Sequence, residues 1–386
     1  MKAIPIKENI YWVGAIDWNL RNFHGYLTQR GSSYNAYLIV DEQITLIDTV
    51  KAYLADEMFA RISSVVDPSA INNIVVNHVE MDHSGALPEV VKRAPNANII
   101  TSPKGAEGLK MHYDLECGFQ TVSSGETLNL GNRNLQFLLT PMVHWPDNMI
   151  EYLPEEKILF TNDAFGQHLA SSGRFDDEYP LDIVLEEAKK YYANIVLPYS
   201  THVLKALEEA EKMDIEIIAN SHGIMWKKHI PEIVASYKKW AGNATEKKAI
   251  IVYDTMWNST EKMARAIYTA FEEKGYKTAM YNLQLNHISD IMTAVLDAEY
   301  ICVGSPTLNG SIMPNVAAFL NYMTGLSPKG RKSFVFSSYG WGSQAIKQME
   351  EILTNAKFEV MDRFKVKYIP KQQDLKGIKE AVQGKI

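Results

Sequence analysis

At 386 residues the chain is too long for one ordinary hydrophobic core, since single cores stop growing near about 250–300 residues, and two domains are expected. Hydrophobic residues at 46%, charged residues at 22% and a formal net charge of -7 without a long basic run describe a folded protein that is neither disordered nor built for nucleic acid. Its only cysteines, Cys117 and Cys302, cannot make a disulfide scaffold or a thiolate cluster; no stretch nears the ~20 apolar residues of a membrane span, and the N-terminus has no apolar signal region, so a cytoplasmic protein is expected.

Along the first part of the chain, short β-rich or alternating runs are broken by turns. Strands are predicted at Ile10–Trp12, Asn35–Val40, Ile44–Ile47, Ile74–Asn77, Ile99–Thr101, Leu135–Thr140 and Ile158–Thr161. Helical patterns intervene at Leu54–Val66 and Leu181–Tyr192. Two sheets packed between helices fit that order. A small, polar stretch at 241–248 then reads as a linker. It divides the chain into a domain at 1–245 and a domain at 246–386.

Beyond the linker, strands and helices alternate. The predicted series is strand Ala249–Tyr253, helix Ser259–Lys274, strand Lys277–Asn282, helix Ile288–Asp297, strand Tyr300–Gly304, helix Asn315–Met323, strand Lys332–Ser337 and helix Ser343–Asn355. Such alternation predicts an open, doubly wound parallel sheet.

The densest chemical signal is the run His78-Val79-Glu80-Met81-Asp82-His83, which follows the apolar strand at 74–76 and is closed by Ser84-Gly85. In an extended segment His78, Glu80 and Asp82 would share one face, and a turn could bring His83 beside Asp82. Carboxylates and imidazoles crowded in this way are costly unless a cation sits among them. His144, Asp163 and His222 each lie just past a predicted strand or apolar run, where loops gather functional groups. Taken singly, each is as readily a cap or turn residue. As an ordered set with the first run they make seven metal-donor candidates.

The second domain carries three loops at the C-terminal ends of its strands, where open α/β sheets bind ligands. The first, Thr255, Met256, Trp257, Asn258, Ser259 and Thr260, has hydroxyls at a helix start, which suits a phosphate and equally suits an N-cap. It lacks the lysine of a triphosphate loop. The second holds Pro306, Thr307, Leu308, Asn309 and Gly310. The third holds Ser338, Tyr339, Gly340, Trp341 and Gly342. Trp257, Tyr339 and Trp341 offer faces for a planar ring, or for packing.

The His-x-Glu-x-Asp-His run with the later His, Asp and His resembles the metallo-β-lactamase fold. The hydrolases of that fold usually carry His where this chain has Glu80, and the added carboxylate suits redox iron better than an imidazole-dominated zinc site. The three later loops resemble flavodoxin and its FMN. Together, and over essentially the whole chain, the sequence resembles the flavodiiron proteins, also called A-type flavoproteins. The resemblance implies a metallo-β-lactamase-like αββα sandwich followed by a flavodoxin-like doubly wound sheet. It implies FMN and two non-haem iron ions: His78, Glu80 and His144 on one iron, Asp82, His83 and His222 on the other, and Asp163 bridging. His83 is the ligand that in some members swings away. His24 and Tyr26 resemble an outer pair over the open face, and Tyr199 a further pocket tyrosine. His112, His168, His202, His229 and His287 match no ligand position and read as structural or solvated.

The implied activity is reduction of dioxygen to water, nitric oxide to nitrous oxide, or both, protecting an anaerobe. The sequence shows no C-x-x-C rubredoxin module, so an external donor is expected: rubredoxin, or reduced deazaflavin F420. A head-to-tail homodimer is expected, with pairing into a tetramer left open. Two other readings stand beside this one: a zinc hydrolase fused to a flavodoxin, and an electron carrier with a relic metal domain.

Overall fold

The structure is a computed structural model that describes residues 1–115 and 117–386. The chain divides into two compact units, Met1–Tyr191 with Tyr199–Lys238, and Tyr192–Pro198 with Lys239–Ile386.

The first unit holds a seven-stranded mixed sheet in the order Ile4–Lys7, Ile10–Trp12, Tyr37–Ile39, Thr45–Ile47, Asn73–Val76, Asn98–Thr101, Phe119–Thr121. The pairs up to Thr45–Ile47 are antiparallel and the rest parallel. A five-stranded sheet follows in the order Thr127–Asn129, Asn134–Leu139, Met149–Leu153, Ile158–Asn162, Ile217–Asn220, antiparallel except for its last pair. Period-two side-chain alternation fixes the layers. Val75, Ile47 and Ile100 face Phe137, Met149 and Phe160 between the sheets. Ile74, Val76, Leu46 and Ile99 face the outer side, where helix Ala55–Ile62 contributes Met58, Phe59 and Ile62. On the other side, Ile150 and Leu159 point outward beneath helix Ser200–Ala210. The result is the αββα sandwich.

The second unit is a five-stranded sheet in the order Lys277–Asn282, Glu246–Tyr253, Ala298–Gly304, Lys332–Tyr339, Glu359–Lys367, every pair parallel. That order, with the second strand outside the first, is the flavodoxin order. Met263, Ile267 and Phe271 of helix Ser259–Glu273 and Ile378 and Val382 of helix Gln372–Gln383 cover Ile251, Phe334 and Phe336.

Several element ends differ from the sequence reading. The helix expected over Leu54–Val66 closes at Ile62, ahead of a turn in which Asp67 accepts from the backbone N–H of Ser69. Strand Glu359–Lys367 and helix Gln372–Gln383 escaped prediction altogether. The strand reads Glu-Val-Met-Asp-Arg-Phe-Lys-Val-Lys and none of it is fully buried, so charged residues blur its alternation.

Candidate functional site

Seven side chains from separate segments of the first unit meet past the strand ends. His78 leaves strand Asn73–Val76 through Asn77. The segment that follows is not extended, so the expected shared face of His78, Glu80 and Asp82 is not how they meet. Met81–Ser84 forms one helical turn, with the N–H groups of His83 and Ser84 bonded to the carbonyl of Glu80 and Ser84 Oγ bonded to that of Val79. The turn aims Asp82 and His83 inward. His144 comes from the loop before strand Met149–Leu153, Asp163 from the end of Ile158–Asn162, and His222 from the end of Ile217–Asn220.

Two donor groups result. His78, His144 and Asp163 have ligand atoms within 4.8 Å of one another, as do Asp82, His83 and His222. Asp163 faces both. Its Oδ2 lies 3.4 Å from His144 Nε2 and 3.9 Å from His78 Nε2, while its Oδ1 lies 3.2 Å from His83 Nε2 and 3.1 Å from His222 Nε2. Glu80 Oε2 joins the first group at 3.3 Å from His78 and 3.4 Å from His144. Asp82 joins the second through oxygens 3.5 Å from His83 and 3.4 Å from His222.

These atoms face one another without hydrogen bonding. His78 Nε2, both oxygens of Asp82, both ring nitrogens of His83 and Asp163 Oδ2 are buried with no hydrogen-bond partner. Orphaned buried polar atoms are rare and costly. Donors about 2.1 Å from a shared ion lie about 3.0–3.4 Å apart at right or tetrahedral angles, and six of the eight separations above fall in that range. Electrostatics make the same demand. Burial opposes charge on Glu80 and Asp163, yet the surrounding imidazoles hold both well below the usual carboxylate range. Burial likewise opposes charge on His78, His83 and His144, yet the carboxylates push each up to about 10. The carboxylates call for positive charge, which a pair of divalent cations would supply. Mixed carboxylate and imidazole donors fit iron.

Residues behind the donors orient them, as metal-binding histidines require. His78 Nδ1 lies 2.9 Å from Asp147 Oδ2, which also accepts from the N–H of Val79. His222 Nδ1 donates to the carbonyl of Ser33 at 3.0 Å. Both partners only accept, so each ring keeps its proton on Nδ1 and turns Nε2 toward the other donors. Tyr191, fully buried, donates to Asp163 Oδ1 at 2.9 Å. The sequence reading missed Asp147 and Tyr191. Asp147 lies three residues past His144, and a carboxylate there is the usual second partner of a ligating imidazole.

The outer residues are placed unequally. His24 has a left-handed backbone (φ 52°) in the tight hairpin joining Asn22–Phe23 to Tyr26–Leu27, and its Nε2 donates to Glu80 Oε1 at 2.8 Å. Tyr199 has its ring 6.4 Å from that of His144. Tyr26 is buried with its ring 5.3 Å from that of His168, whose ring in turn lies tilted 5.0 Å from that of His222. His168 is completely buried and bonded to Ser32 Oγ at 2.8 Å. Its burial, then the nearby His222, holds its pKa well below the ordinary imidazole value.

In the second unit the three loops line one cavity of about 770 Å³. Met256, Trp257 and Ser259 come from the first loop, Pro306–Gly310 from the second and Ser338–Gly342 from the third. Thr255, Asn258 and Thr260 do not line it. Asn258 takes the left-handed cap position before helix Ser259–Glu273, Thr255 Oγ1 is buried without a partner, and Thr260 Oγ1 lies 2.8 Å from Ser338 Oγ. The cavity's other walls are Gln344, Tyr368 and Ile369. Tyr368 and Ile369 follow the strand that the sequence reading missed, so its loop was not searched. Trp257 is 87% exposed and Trp341 97% exposed, so neither is packing in this unit. The helix N-terminus, the buried orphan hydroxyl of Thr307 and the aromatic walls fit a phosphorylated planar ring such as FMN.

Comparison with known proteins gives two family matches: ODP family beta lactamase over residues 33–223 and Flavodoxin over residues 251–381. The chain is 42% identical to a nitric oxide reductase of Moorella thermoacetica, over 97% of this chain and 96% of that protein. It is 40% identical to a rubredoxin-oxygen oxidoreductase of Megalodesulfovibrio gigas, over 99% of this chain and 97% of that one. A flavodiiron protein structure from Giardia intestinalis superposes with a TM-score of 0.96 at 36% identity, covering 100% of this chain and 96% of the other.

Proposed function

The chain belongs to the flavodiiron proteins, and from that premise we propose that it is an oxidoreductase that reduces dioxygen to water, nitric oxide to nitrous oxide, or both, using FMN and a pair of iron ions. The observation that carries the reading is Asp163, whose two carboxylate oxygens each face a separate imidazole pair. Residues 1–245 act as the diiron domain and residues 246–386 as the FMN domain. His78, Glu80 and His144 would hold one iron, Asp82, His83 and His222 the other, with Asp163 between them. When bound, the flavin and the iron pair supply two electrons each, four for dioxygen or two for a pair of nitric oxide molecules.

The chain's own residues do the rest. Asp147 and the Ser33 carbonyl hold Nδ1 of His78 and His222 and so turn Nε2 toward the site. His24 bonds Glu80 from the exposed side and is placed to pass protons, with Tyr26 and Tyr199 on the walls beyond. Met256, Trp257 and Ser259, with Pro306–Gly310 and Ser338–Gly342, would hold FMN. Electrons come from an external donor of rubredoxin type, or from reduced deazaflavin F420. The working form is a homodimer in the cytoplasm, and no helix among the described residues is long and apolar enough to cross a membrane.

The test is anaerobic turnover of iron- and FMN-loaded protein with dioxygen and nitric oxide side by side, reduced through rubredoxin. Consumption of either gas supports the reading. Stoichiometric zinc without gas turnover, in protein made with ample iron, would sink it.

A further inference from the structure

A second cavity lies against the metal-binding segments but outside the donor set. It measures about 20 Å³ and sits between the outer face of the five-stranded sheet and helix Ser200–Ala210. The helix turns Val203, Ala206, Leu207 and Ala210 toward it, the i, i+3, i+4, i+7 face. Two of those four are alanines, too short to fill the space above Ile150 and Leu159. The lining includes Val143 and Ala164, the neighbours in sequence of His144 and Asp163.

The lining is apolar in effect as well as in composition. Its hydroxyls are engaged elsewhere. Thr140 Oγ1 donates to Asn148 Oδ1 at 3.0 Å, Thr161 Oγ1 donates to the carbonyl of Ala164 at 2.8 Å, and Tyr237 OH accepts from the N–H of Phe165 at 2.6 Å. A buried water needs about two to four polar partners, and a void of about 10–15 Å³ is enough room for one. This cavity has the room and lacks the partners. It offers a water few hydrogen bonds and suits a small apolar guest better.

Resting on the proposed gas-reducing activity, we infer that this cavity is a binding site for an apolar diatomic gas, a waiting position one residue away from two of the metal donors. Dioxygen and nitric oxide both fit that chemistry, being small and nearly non-polar. Such a site would concentrate substrate next to the segments that carry two of the donors.

Xenon-pressurised crystals of the holoprotein test the site, since xenon binds dry apolar voids. We expect one xenon among Val143, Leu159 and Leu207. Ala206→Phe should remove that xenon and raise KM for the gas about three- to tenfold with kcat unchanged, the mark of lost binding ahead of chemistry. Ala206→Val should do the same in smaller measure if the larger change disturbs folding. Iron content and Tm check both variants. No xenon in the parent overturns the inference. So does loss of xenon in a well-folded variant whose KM for both gases is unmoved. Loaded protein that turns over neither gas defeats the functional reading instead, and leaves the xenon result to judge the cavity as a gas site.

Discussion

The hydroxyl of Tyr191 donates to Oδ1 of Asp163 at 2.9 Å, the same oxygen that faces His83 and His222. The two oxygens of the Asp163 carboxylate are therefore unequal. Oδ1 is held by a buried phenol, and Oδ2 is not. Burial, reinforced by the negative charge of Asp163, keeps the Tyr191 hydroxyl protonated, so it acts as a fixed donor. Tyr191→Phe should weaken iron binding at the Asp82, His83 and His222 group by about 10- to 100-fold, the usual cost of losing an outer partner. Iron per chain after graded chelation checks it. Equal loss from both groups would show that Tyr191 does not select between them.

Asp163→Asn should disturb both irons, because the amide loses the charge that both imidazole pairs face. His83→Ala should be milder. His83 Nδ1 has no hydrogen-bond partner behind it, unlike His78 and His222, so nothing comparable fixes that ring. Iron analysis and the diiron absorption spectrum compare the two. Greater loss from His83→Ala would reverse the ranking.

Glu151 supplies a pH dependence away from the donors. It is completely buried and accepts from Asn77 Nδ2 at 2.9 Å. Burial, then the negative charge of Asp48, pushes its carboxyl well above the usual range. The native state thus keeps a proton that the unfolded chain releases near its ordinary value. Between those two pKa values the folded state binds more protons, so stability falls as pH rises, by up to about 1.4 kcal/mol per pH unit. Glu151→Gln keeps the shape without the titrating proton. Its Tm in the iron-loaded form should match the parent near pH 5 and exceed it increasingly toward pH 9. Parallel curves would mean that Glu151 is not the group responsible.

Ser259→Ala should weaken FMN by removing a hydroxyl that lines the cavity at the helix start. A lost bond to a charged phosphate costs about 1.5–3 kcal/mol, roughly ten- to a hundredfold in affinity. Thr260→Val acts indirectly, by freeing Ser338 from its 2.8 Å partner, and should cost less. Iron content should not change in either. Flavin fluorescence titration reads both, and unchanged affinity in both would remove this loop from the flavin site.

Much of this was legible in the sequence because the decisive segments are short and local. The run from His78 to His83 announces itself by density, and the hydroxyl loop at Thr255–Thr260 by its place between an apolar strand and a helix. What escaped depends on contacts far apart in the chain. Tyr191 is one turn-facing tyrosine among many until Asp163 is seen 28 residues away. Tyr368 and Ile369 join the flavin cavity only because a strand of mostly half-exposed, charged residues takes the sheet edge. The helical turn at Met81–Ser84 was hidden for a different reason: its four residues are too few for a periodic signal, and packing decides their conformation.

The same separation of the two cofactor sites into self-contained units yields the last expectation. Each unit has its own sheet and core, so neither site borrows residues from the other to be complete. A flavin and an iron pair that exchange electrons can then belong to different chains, provided that an assembly brings them close. Two-fold closure is the commonest assembly, and in it any contact made by one chain is repeated by the other. Mixing a flavin-deficient variant, Ser259→Ala with Thr260→Val, and an iron-deficient variant, His78→Ala with Glu80→Ala, tests this directly. After mild dissociation and reassociation, a head-to-tail heterodimer should hold one complete flavin and iron pair across its interface. Gas reduction should return to at most about half of the parent rate per dimer, as expected when one of two symmetric interfaces is intact. Heterodimers that form and stay inactive, or parent protein that is fully active as a monomer, would exclude electron transfer between chains.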